Sequence, residues 1–270
     1  MASVAKLLGA GLAHGVRGMT RLLGRRAGAR AAAHAASTLA PIIEVQTARG
    51  ILRFRCGSPR AAALAAGFLQ HEPDTRRWID EHLKPGDVLW DIGANIGAYT
   101  LYACLRPEVR VFAFEPLAST FALLAENIAL NGITDRAMPI CVALSNANGL
   151  SPFYLASIEP GTAMHALGAP ENVRGHFDPA GMQIAMSMRG DDLARQVNLT
   201  RPDHVKIDVD GHEPRVLEGM GDLLAQVRTV WIEMEGQGDE IETLLSERGF
   251  ESGISYGGRN RLFVNRVRAP

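Results

Sequence analysis

From Asp87 to the end of the chain, short apolar runs alternate with stretches of helical pattern. Val88 to Ile92, Val109 to Phe114, Pro139 to Leu144, His204 to Val209 and Thr229 to Met234 are such runs, and helical segments, among them Glu213 to Leu224, lie between them. This alternation is typical of parallel strands joined by crossover helices. The sequence therefore predicts an α/β fold with a Rossmann-like, doubly wound and mostly parallel sheet.

The end of the chain indicates which kind of Rossmann-like sheet this is. Phe250 to Tyr256 and Arg261 to Asn265 flank Gly257-Gly-Arg-Asn260, a pattern that predicts an antiparallel hairpin. Nicotinamide-binding sheets normally continue with parallel strands, whereas methyltransferases of the common class end with a reversed strand. The ending favours a class I methyltransferase fold, and a NAD-dependent oxidoreductase is kept as the alternative.

Residues 1–43 form a separate, basic segment rich in Ala and Arg. They contain no acid, and their basic residues are Lys6, Arg17, Arg21, Arg25, Arg26 and Arg30. Such a composition suits a transit peptide or a helix in weak contact with an anionic membrane surface. Because six glycines weaken any helix here, we expect a partly ordered tail.

Residues 44–85 are predicted to form an N-terminal hairpin and helical cap, and residues 86–270 the cofactor-binding domain. Ile42 to Thr47 and Ile51 to Cys56 predict the hairpin, which turns at Arg49-Gly50. A helix is expected from Arg60 to Leu69. Asp74 is a plausible N-cap for the next helix.

Composition restricts the classes of function. The formal net charge of −1 argues against a nucleic-acid-binding protein. No apolar stretch reaches the roughly 18 residues of a membrane-spanning helix. Cys56, Cys104 and Cys141 are widely spaced and suggest reduced core thiols in a cytoplasmic protein, with no metal-ligand spacing.

The first strand-to-helix turn, Asp91-Ile-Gly-Ala-Asn-Ile-Gly97, is the predicted cofactor site. Gly93 and Gly97 allow a tight turn and close packing, and Ala94 and Asn95 lie between them. A carboxylate from Asp91 in this turn would repel a pyrophosphate, but it would attract a cofactor that carries an amine and a sulfonium. The turn therefore favours S-adenosyl-L-methionine over a dinucleotide.

Two further positions are expected to contact the nucleoside. Glu115 ends the second strand, where a carboxylate accepts hydrogen bonds from ribose hydroxyls. Ser145 and Asn146 follow the third strand, where adenine would lie, although they equally fit an ordinary turn. A non-catalytic nucleoside-binding protein would share these features.

Polar residues crowd the end of the fourth strand, at Asp208, Asp210, His212 and Glu213. Methyl transfer to a hydroxyl requires a base, and His212 is the natural candidate near neutral pH. Asp208 or Asp210 would orient His212 or bind the acceptor, while Glu213 is explained by helix capping. A divalent metal on these carboxylates is the weaker alternative.

Three more residues carry expectations. Lys206 lies mid-strand, where a buried ammonium needs a partner, so we expect it to pair with Asp208, Asp91 or Glu233. The segment from Gly149 to Met188 is irregular, with strands expected at Pro152 to Leu155 and Gln183 to Met188. His165 and His176 in this segment either line an acceptor pocket or are solvated.

Over about residues 65 to 265, the chain resembles the FkbM family of S-adenosylmethionine-dependent methyltransferases. The resemblance is carried by Glu72-Pro-Asp-Thr75, Asp91-Ile-Gly-Ala-Asn-Ile-Gly-Ala-Tyr-Thr100, Phe114-Glu-Pro116, Ala143-Leu-Ser145, Lys206-Ile-Asp-Val-Asp-Gly-His-Glu213 and Val216-Leu-Glu-Gly-Met220. It implies O-methylation of a small-molecule acceptor, at a hydroxyl of a sugar or polyketide-like natural product. Ser187-Met-Arg189 departs from the family pattern, which affects the expected substrate contacts only.

Overall fold

The structure is a computed structural model that describes residues 2–234, 236–256 and 259–268. Its internal contacts divide the chain into two compact units, Met1–Pro41 and Ile42–Pro270. Each unit is described by itself.

The first unit consists of two helices, α1 (Ala2–Arg21) and α2 (Arg25–Leu39). They approach closely where Gly28 is buried, since an added Cβ would lie 2.2 Å from the carbonyl oxygen of Thr20. Helices therefore occupy the segment that we expected to be a partly ordered tail, and its alanines offset its glycines. Within the described residues, no helix has both the length and the hydropathy needed to cross a membrane.

The second unit is built from alternating strands and helices. Its strands are β1 (Ile42–Thr47), β2 (Gly50–Arg55), β3 (Val88–Ile92), β4 (Arg110–Phe114), β5 (Ala137–Ile140), β6 (Ala143–Leu144), β7 (Gly149–Leu155), β8 (Ala166–Leu167), β9 (Glu171–Asn172), β10 (Gly175–His176), β11 (Gly181–Met188), β12 (His204–Ile207), β13 (Thr229–Glu233), β14 (Phe250–Tyr256) and β15 (Asn260–Asn265). Its helices are α3 (Pro59–Gly67), α4 (Pro73–His82), α5 (Ala98–Ala103), α6 (Ala118–Leu130), α7 (Gly190–Gln196), α8 (Glu213–Gly219), α9 (Gly221–Leu224) and α10 (Gly238–Ser246).

In the part of the chain that the structure describes, seven strands form the central sheet, in the order β5-β4-β3-β12-β13-β15-β14. The neighbours from β5 to β13 are parallel, whereas β15 runs antiparallel to both β13 and β14. The predicted Rossmann-like fold and its reversed last strand are confirmed. Gly257 and Gly258 of the predicted hairpin turn lie outside the described residues.

Both faces of the central sheet are covered, and this is why β3, β12 and β13 are buried throughout. On one face, Leu89, Val111 and Trp231 join a core with α3 to α6. On the other, Trp90 and Val205 join a core with α7 to α10. Asp91 follows Trp90 in β3, and Lys206 follows Val205 in β12. The side chains of Asp91 and Lys206 therefore point to the other face, towards the core that contains α3 to α6.

The predicted cap packs its second helix, α4, against the sheet. Trp78 stacks on Trp231 with ring centroids 5.8 Å apart. The Trp231 indole N–H donates to Thr75 Oγ1 over 2.9 Å. Asp74 is not the N-cap, because Pro73 already occupies the first helical position and Glu72 precedes it in a left-handed conformation.

A second sheet occupies the region from Gly149 to Met188, which we predicted to be irregular apart from two strands. Those two predicted strands match parts of β7 and β11. Within the described residues its order is β6-β11-β7-β8. The predicted third strand, Pro139 to Leu144, is split because Val142 N–H donates back to the Ile140 carbonyl. As a result β5 pairs with the central sheet, and β6 pairs with β11 in the second.

Two smaller expectations were wrong in part. The helix predicted from Glu213 to Leu224 is broken into α8 and α9, where Gly219 passes so close to Ser145 that a Cβ would lie 2.0 Å from its carbonyl oxygen. Cys56 and Cys104 are buried thiols, as expected, but Cys141 is exposed.

Candidate functional site

A cleft lies at the carboxyl ends of β3, β4 and β12, where parallel α/β sheets bind their ligands. We call it the strand-end cleft; it encloses about 930 Å³, including its open mouth. The second sheet forms one wall of this cleft through Phe153, Ala166 and Leu167. Of the predicted site residues, those that line it are Gly93, Asn95, Glu115, Asp208, Asp210 and His212.

The charge of this cleft is one-sided. Its lining includes the carboxyl groups of Glu115, Glu171, Asp208 and Asp210, and among the described lining residues there is neither a Lys nor an Arg. Such a lining repels a pyrophosphate and attracts a ligand with positive charges. The cleft therefore has the electrostatic preference that we predicted, although it comes from other residues.

Glu115 is held in position by two backbone groups. Its Oε2 accepts from Asn95 N–H over 3.0 Å, and its Oε1 accepts from Leu117 N–H over 2.8 Å. Each oxygen has a second acceptor position, which is the arrangement needed for the two hydroxyls of a ribose. Burial, together with the charges of Asp210 and Asp91, raises the pKa of Glu115 to about 7.

The β3–α5 turn is shaped by contacts within the protein. A Cβ on Gly93, whose φ is +78°, would lie 1.9 Å from the Asp208 carbonyl oxygen, so the turn packs against the end of β12. A Cβ on Gly97 would lie 2.7 Å from Leu124 of α6. Ala94 is buried and does not line the cleft. A side chain at Gly93 or Gly97 would thus collide with protein atoms, and Gly93 also lines the cleft.

Lys206 and Asp91 lie beneath the cleft on neighbouring strands. The Lys206 Nζ is 3.2 Å from Asp208 Oδ2 and 3.7 Å from Asp91 Oδ1, which confirms the predicted pairing. Although burial by itself lowers it, these two charges raise the pKa of Lys206 above its ordinary value. The third predicted partner, Glu233, instead accepts from Arg259 over 2.8 Å.

The expectation that the Asp91 carboxylate faces the ligand is corrected by its position. Asp91 is fully buried and does not line the cleft. Its Oδ2 accepts from Thr100 Oγ1 over 2.6 Å, and among the described residues its Oδ1 has only the ionic contact with Lys206. Asp91 therefore contacts Lys206 and α5, and the carboxyl groups that line the cleft are those of Glu115, Glu171, Asp208 and Asp210.

Asp210 is fixed by the loop that follows β12. Its φ is +57°, a left-handed conformation, and its Oδ2 accepts from Met164 N–H over 2.6 Å. This bond ties the end of β12 to the loop that carries His165. Asp208, by contrast, is bound to Lys206.

His212 stands at the N-terminus of α8, with its Nε2 2.9 Å from Ser145 Oγ. Burial, and to a smaller extent the charge of Arg215, lowers the pKa of His212 to about 4. Ser145 does not line the cleft, and its hydroxyl contacts His212. Glu213, in the first turn of α8, accepts from Val209 N–H over 3.0 Å.

The two loop histidines differ. His165 lines the cleft, but Ala156 N–H donates to its Nδ1 over 3.1 Å and its Nε2 lies 3.0 Å from the Thr162 carbonyl. Both ring nitrogens are thus used to fix the loop. His176 is exposed in β10 and does not line the cleft.

Sequence reasoning missed one residue that lines the cleft, Glu171. It lies in a short strand, β9, without hydrophobic periodicity.

A second opening adjoins the strand-end cleft. It shares Leu167, Glu171, Gly211 and His212 with that cleft, and we call it the outer cavity. Its other lining residues are Gly168, Ala169, Asn172, Val173, Pro214, Arg215, Gly236, Gln237 and Glu240. His212 therefore stands at the boundary between two spaces.

Known proteins with similar sequences include several that are named methyltransferases. The hexuronic acid methyltransferase AglP of Haloferax volcanii is 32% identical over 203 residues, which cover 73% of this chain and 77% of that protein. The 31-O-demethyl-FK506 methyltransferase FkbM of Streptomyces tacrolimicus is 31% identical over 212 residues, covering 68% and 82%. The crystal structure of Methyltransferase FkbM from Methylobacillus flagellatus matches with a TM-score of 0.47 and 13% identity, over 76% of this chain and 54% of that one.

A family model described as the Methyltransferase FkbM domain matches residues 91–252. This range contains the β3–α5 turn, Glu115 and the whole segment from Lys206 to Glu213. The chain therefore belongs to the FkbM family of methyltransferases.

Proposed function

We propose that this protein is an S-adenosyl-L-methionine-dependent O-methyltransferase that methylates a hydroxyl group of a sugar or natural-product-like small molecule. The observation that carries the proposal is the strand-end cleft, in which Glu115 is preset for a ribose and the lining is acidic. The relatives act, by name, on a hexuronic acid and on a demethylated FK506. Family and fold favour methyl transfer over the hydride transfer of a NAD-dependent oxidoreductase.

The residues of the cleft fit this cofactor. Glu115 would accept hydrogen bonds from the two ribose hydroxyls, and Asp208 and Asp210 would face the positive charges of the amine and the sulfonium. Asn95, which has a φ of +51°, would border the same ligand. When bound, the cofactor supplies a methyl group activated for in-line displacement, so the protein's main task is alignment in a water-poor space.

His212 is the proposed general base. Since its pKa is about 4, the ring is neutral at physiological pH and can accept a proton. Methyl transfer to a hydroxyl produces a protonated ether oxygen, which is far more acidic than an imidazolium, so a weak base suffices. When Ser145 Oγ accepts from the Nε2–H, the Nδ1 lone pair is left to take this proton.

Asp208 and Asp210 have different proposed roles. Lys206 compensates part of the charge of Asp208, so Asp208 provides a fixed negative charge next to the cofactor. Asp210 joins the acceptor side of the cleft to the loop at Met164, and we assign it to positioning this loop and the acceptor.

Calorimetry with S-adenosylhomocysteine, followed by transfer of a labelled methyl group, tests the proposal. We expect micromolar binding by the wild type and a loss of at least tenfold in Glu115→Ala. His212→Ala should bind S-adenosylhomocysteine like the wild type and lower kcat by about 10²–10⁴-fold. A wild type without detectable binding would refute S-adenosylmethionine dependence; full activity in His212→Ala would refute the role of the base.

A further inference from the structure

The outer cavity has polar lining residues other than those that we assign to the cofactor. Its polar side chains belong to Glu171, Asn172, His212, Arg215, Gln237 and Glu240, and the described lining contains no aromatic residue. Apolar ligands bind to sites rich in aliphatic and aromatic side chains. This cavity instead suits a ligand with many hydrogen-bonding groups.

Arg215 is the one positive charge in the described lining of the two spaces, the strand-end cleft and the outer cavity. Its side chain is exposed, and no carboxylate of the described residues pairs with it. It is the third residue of α8, in the first turn, where a cation is unfavourable because of the helix dipole. Helix stability therefore does not account for an arginine at this position, and its guanidinium is free to bind an anion.

Gln237 provides an independent observation that points to a ligand. Its Oε1 is buried and has no hydrogen-bond partner among the described residues, and Gln237 lines the outer cavity just before α10. A buried amide oxygen that lacks a donor costs free energy. Glu240, three residues further on, is exposed and lines the same cavity. These two side chains offer acceptors for the hydroxyl groups of a ligand.

We propose that the outer cavity is the acceptor site and that the acceptor is a polyhydroxylated molecule with a carboxylate, such as a uronic acid. Arg215 binds the carboxylate, and Gln237 and Glu240 accept from hydroxyl groups. The negative charges of Glu171 and Glu240 repel a ligand that carries more than one negative charge. A carboxylate therefore fits better than a phosphate dianion. The inference rests on the proposed methyl transfer and narrows its substrate class.

The location of His212 agrees with this assignment, since it borders both spaces. The reacting hydroxyl would lie between them: its oxygen forms the bond to the methyl carbon, the sulfur–methyl bond breaks, and the hydroxyl proton passes to His212. The charge of Arg215 lowers the pKa of His212. An anion bound to Arg215 would reduce this effect, so the acceptor itself would strengthen the base.

Ligand-observed NMR on the full chain, saturated with S-adenosylhomocysteine, tests the inference. The probes are methyl β-glucuronide, methyl β-glucoside and glucose 6-phosphate. We expect the glucuronide to bind at least tenfold more tightly than the other two. Arg215→Gln should remove this preference without changing the affinity for the glucoside, and Gln237→Ala should weaken both methyl glycosides alike.

Arg201→Gln is the matched control, because Arg201 is an exposed arginine that precedes β12, at the other end of the sheet. Equal binding of the glucuronide and the glucoside, tighter binding of the phosphate, or an unchanged preference in Arg215→Gln would overturn the inference. Calorimetry of S-adenosylhomocysteine on the same samples separates the two claims, since a failure to bind it contradicts the proposed function instead.

Discussion

Cofactor affinity should depend on pH through one buried carboxyl group, that of Glu115. Burial raises its pKa to about 7 in the free protein. Ribose hydroxyls that donate to the carboxylate favour its ionised form, so binding lowers this pKa and is itself favoured by higher pH. With a pKa of about 7, roughly 90% of Glu115 is ionised at pH 8 and roughly 10% at pH 6.

The expected result is a dissociation constant for S-adenosylhomocysteine about tenfold larger at pH 6 than at pH 8, or about 1.4 kcal/mol. Calorimetry at several pH values measures it. His212, with a pKa of about 4, is neutral across this range and does not contribute. Glu115→Gln should bind weakly at every pH, and the exposed Glu247→Gln should retain the wild-type slope.

A dissociation constant that does not change between pH 6 and pH 8 in the wild type would refute the argument, as would a full slope in Glu115→Gln.

The raised pKa of Glu115 also has a consequence for stability. Because the pKa of Glu115 is higher in the folded than in the unfolded protein, its protonation stabilises the fold. This contribution to the free energy of unfolding is lost as the pH rises from about 4.5 to 7. In the cofactor-free protein, Glu115 should therefore raise the Tm at pH 5.5 relative to the Tm at pH 8. Glu115→Gln should reduce this difference in Tm.

Lys206→Met should lower the free energy of unfolding by about 3–5 kcal/mol in urea titrations, because Asp91 is left as an unpaired buried charge; the double variant with Asp91→Asn should recover part of this loss, and an additive double variant would contradict the pairing. Gly93→Ala should abolish cofactor binding and destabilise strongly, whereas Gly86→Ala, which also has a positive φ but has open space around its Cβ, should cost only about 1 kcal/mol. If both variants lower the free energy of unfolding equally, the close approach of Gly93 to the Asp208 carbonyl oxygen does not explain why this position is a glycine. Ser145→Ala should lower kcat about tenfold and leave the calorimetric affinity for S-adenosylhomocysteine unchanged; a loss of affinity would instead favour contact with the adenine.

Hydrophobic patterning predicted the central sheet well because its strands are buried on both faces and connected by helices. Val88 to Ile92 was predicted with its observed bounds, and the pairing of Lys206 followed from the cost of a buried charge. The second sheet was not predicted in full, since its strands alternate between exposed and buried residues and pair across long loops.

The site residues divide in the same way. Spacing along the chain brought Glu115, Asp208 and His212 to one edge of the sheet, because the carboxyl ends of parallel strands meet there. It did not show that Asp91, which lies within β3, points below the cleft, or that Ser145, just after β6, contacts His212, because hydrophobic patterning does not tell which polar side chains meet. Glu171 and Gln237 come from segments whose position is set by tertiary contacts alone.

The second sheet is joined to the central one through the short chain segment between β5 and β6, and it supplies a wall of the strand-end cleft without providing Glu115 or Asp208. Under the proposed function, substitutions in residues 149–188 would change this wall of the cleft while Glu115 and Asp208 stay in place. Chimeras that exchange residues 149–188 between relatives would test whether this wall of the cleft sets the choice of acceptor.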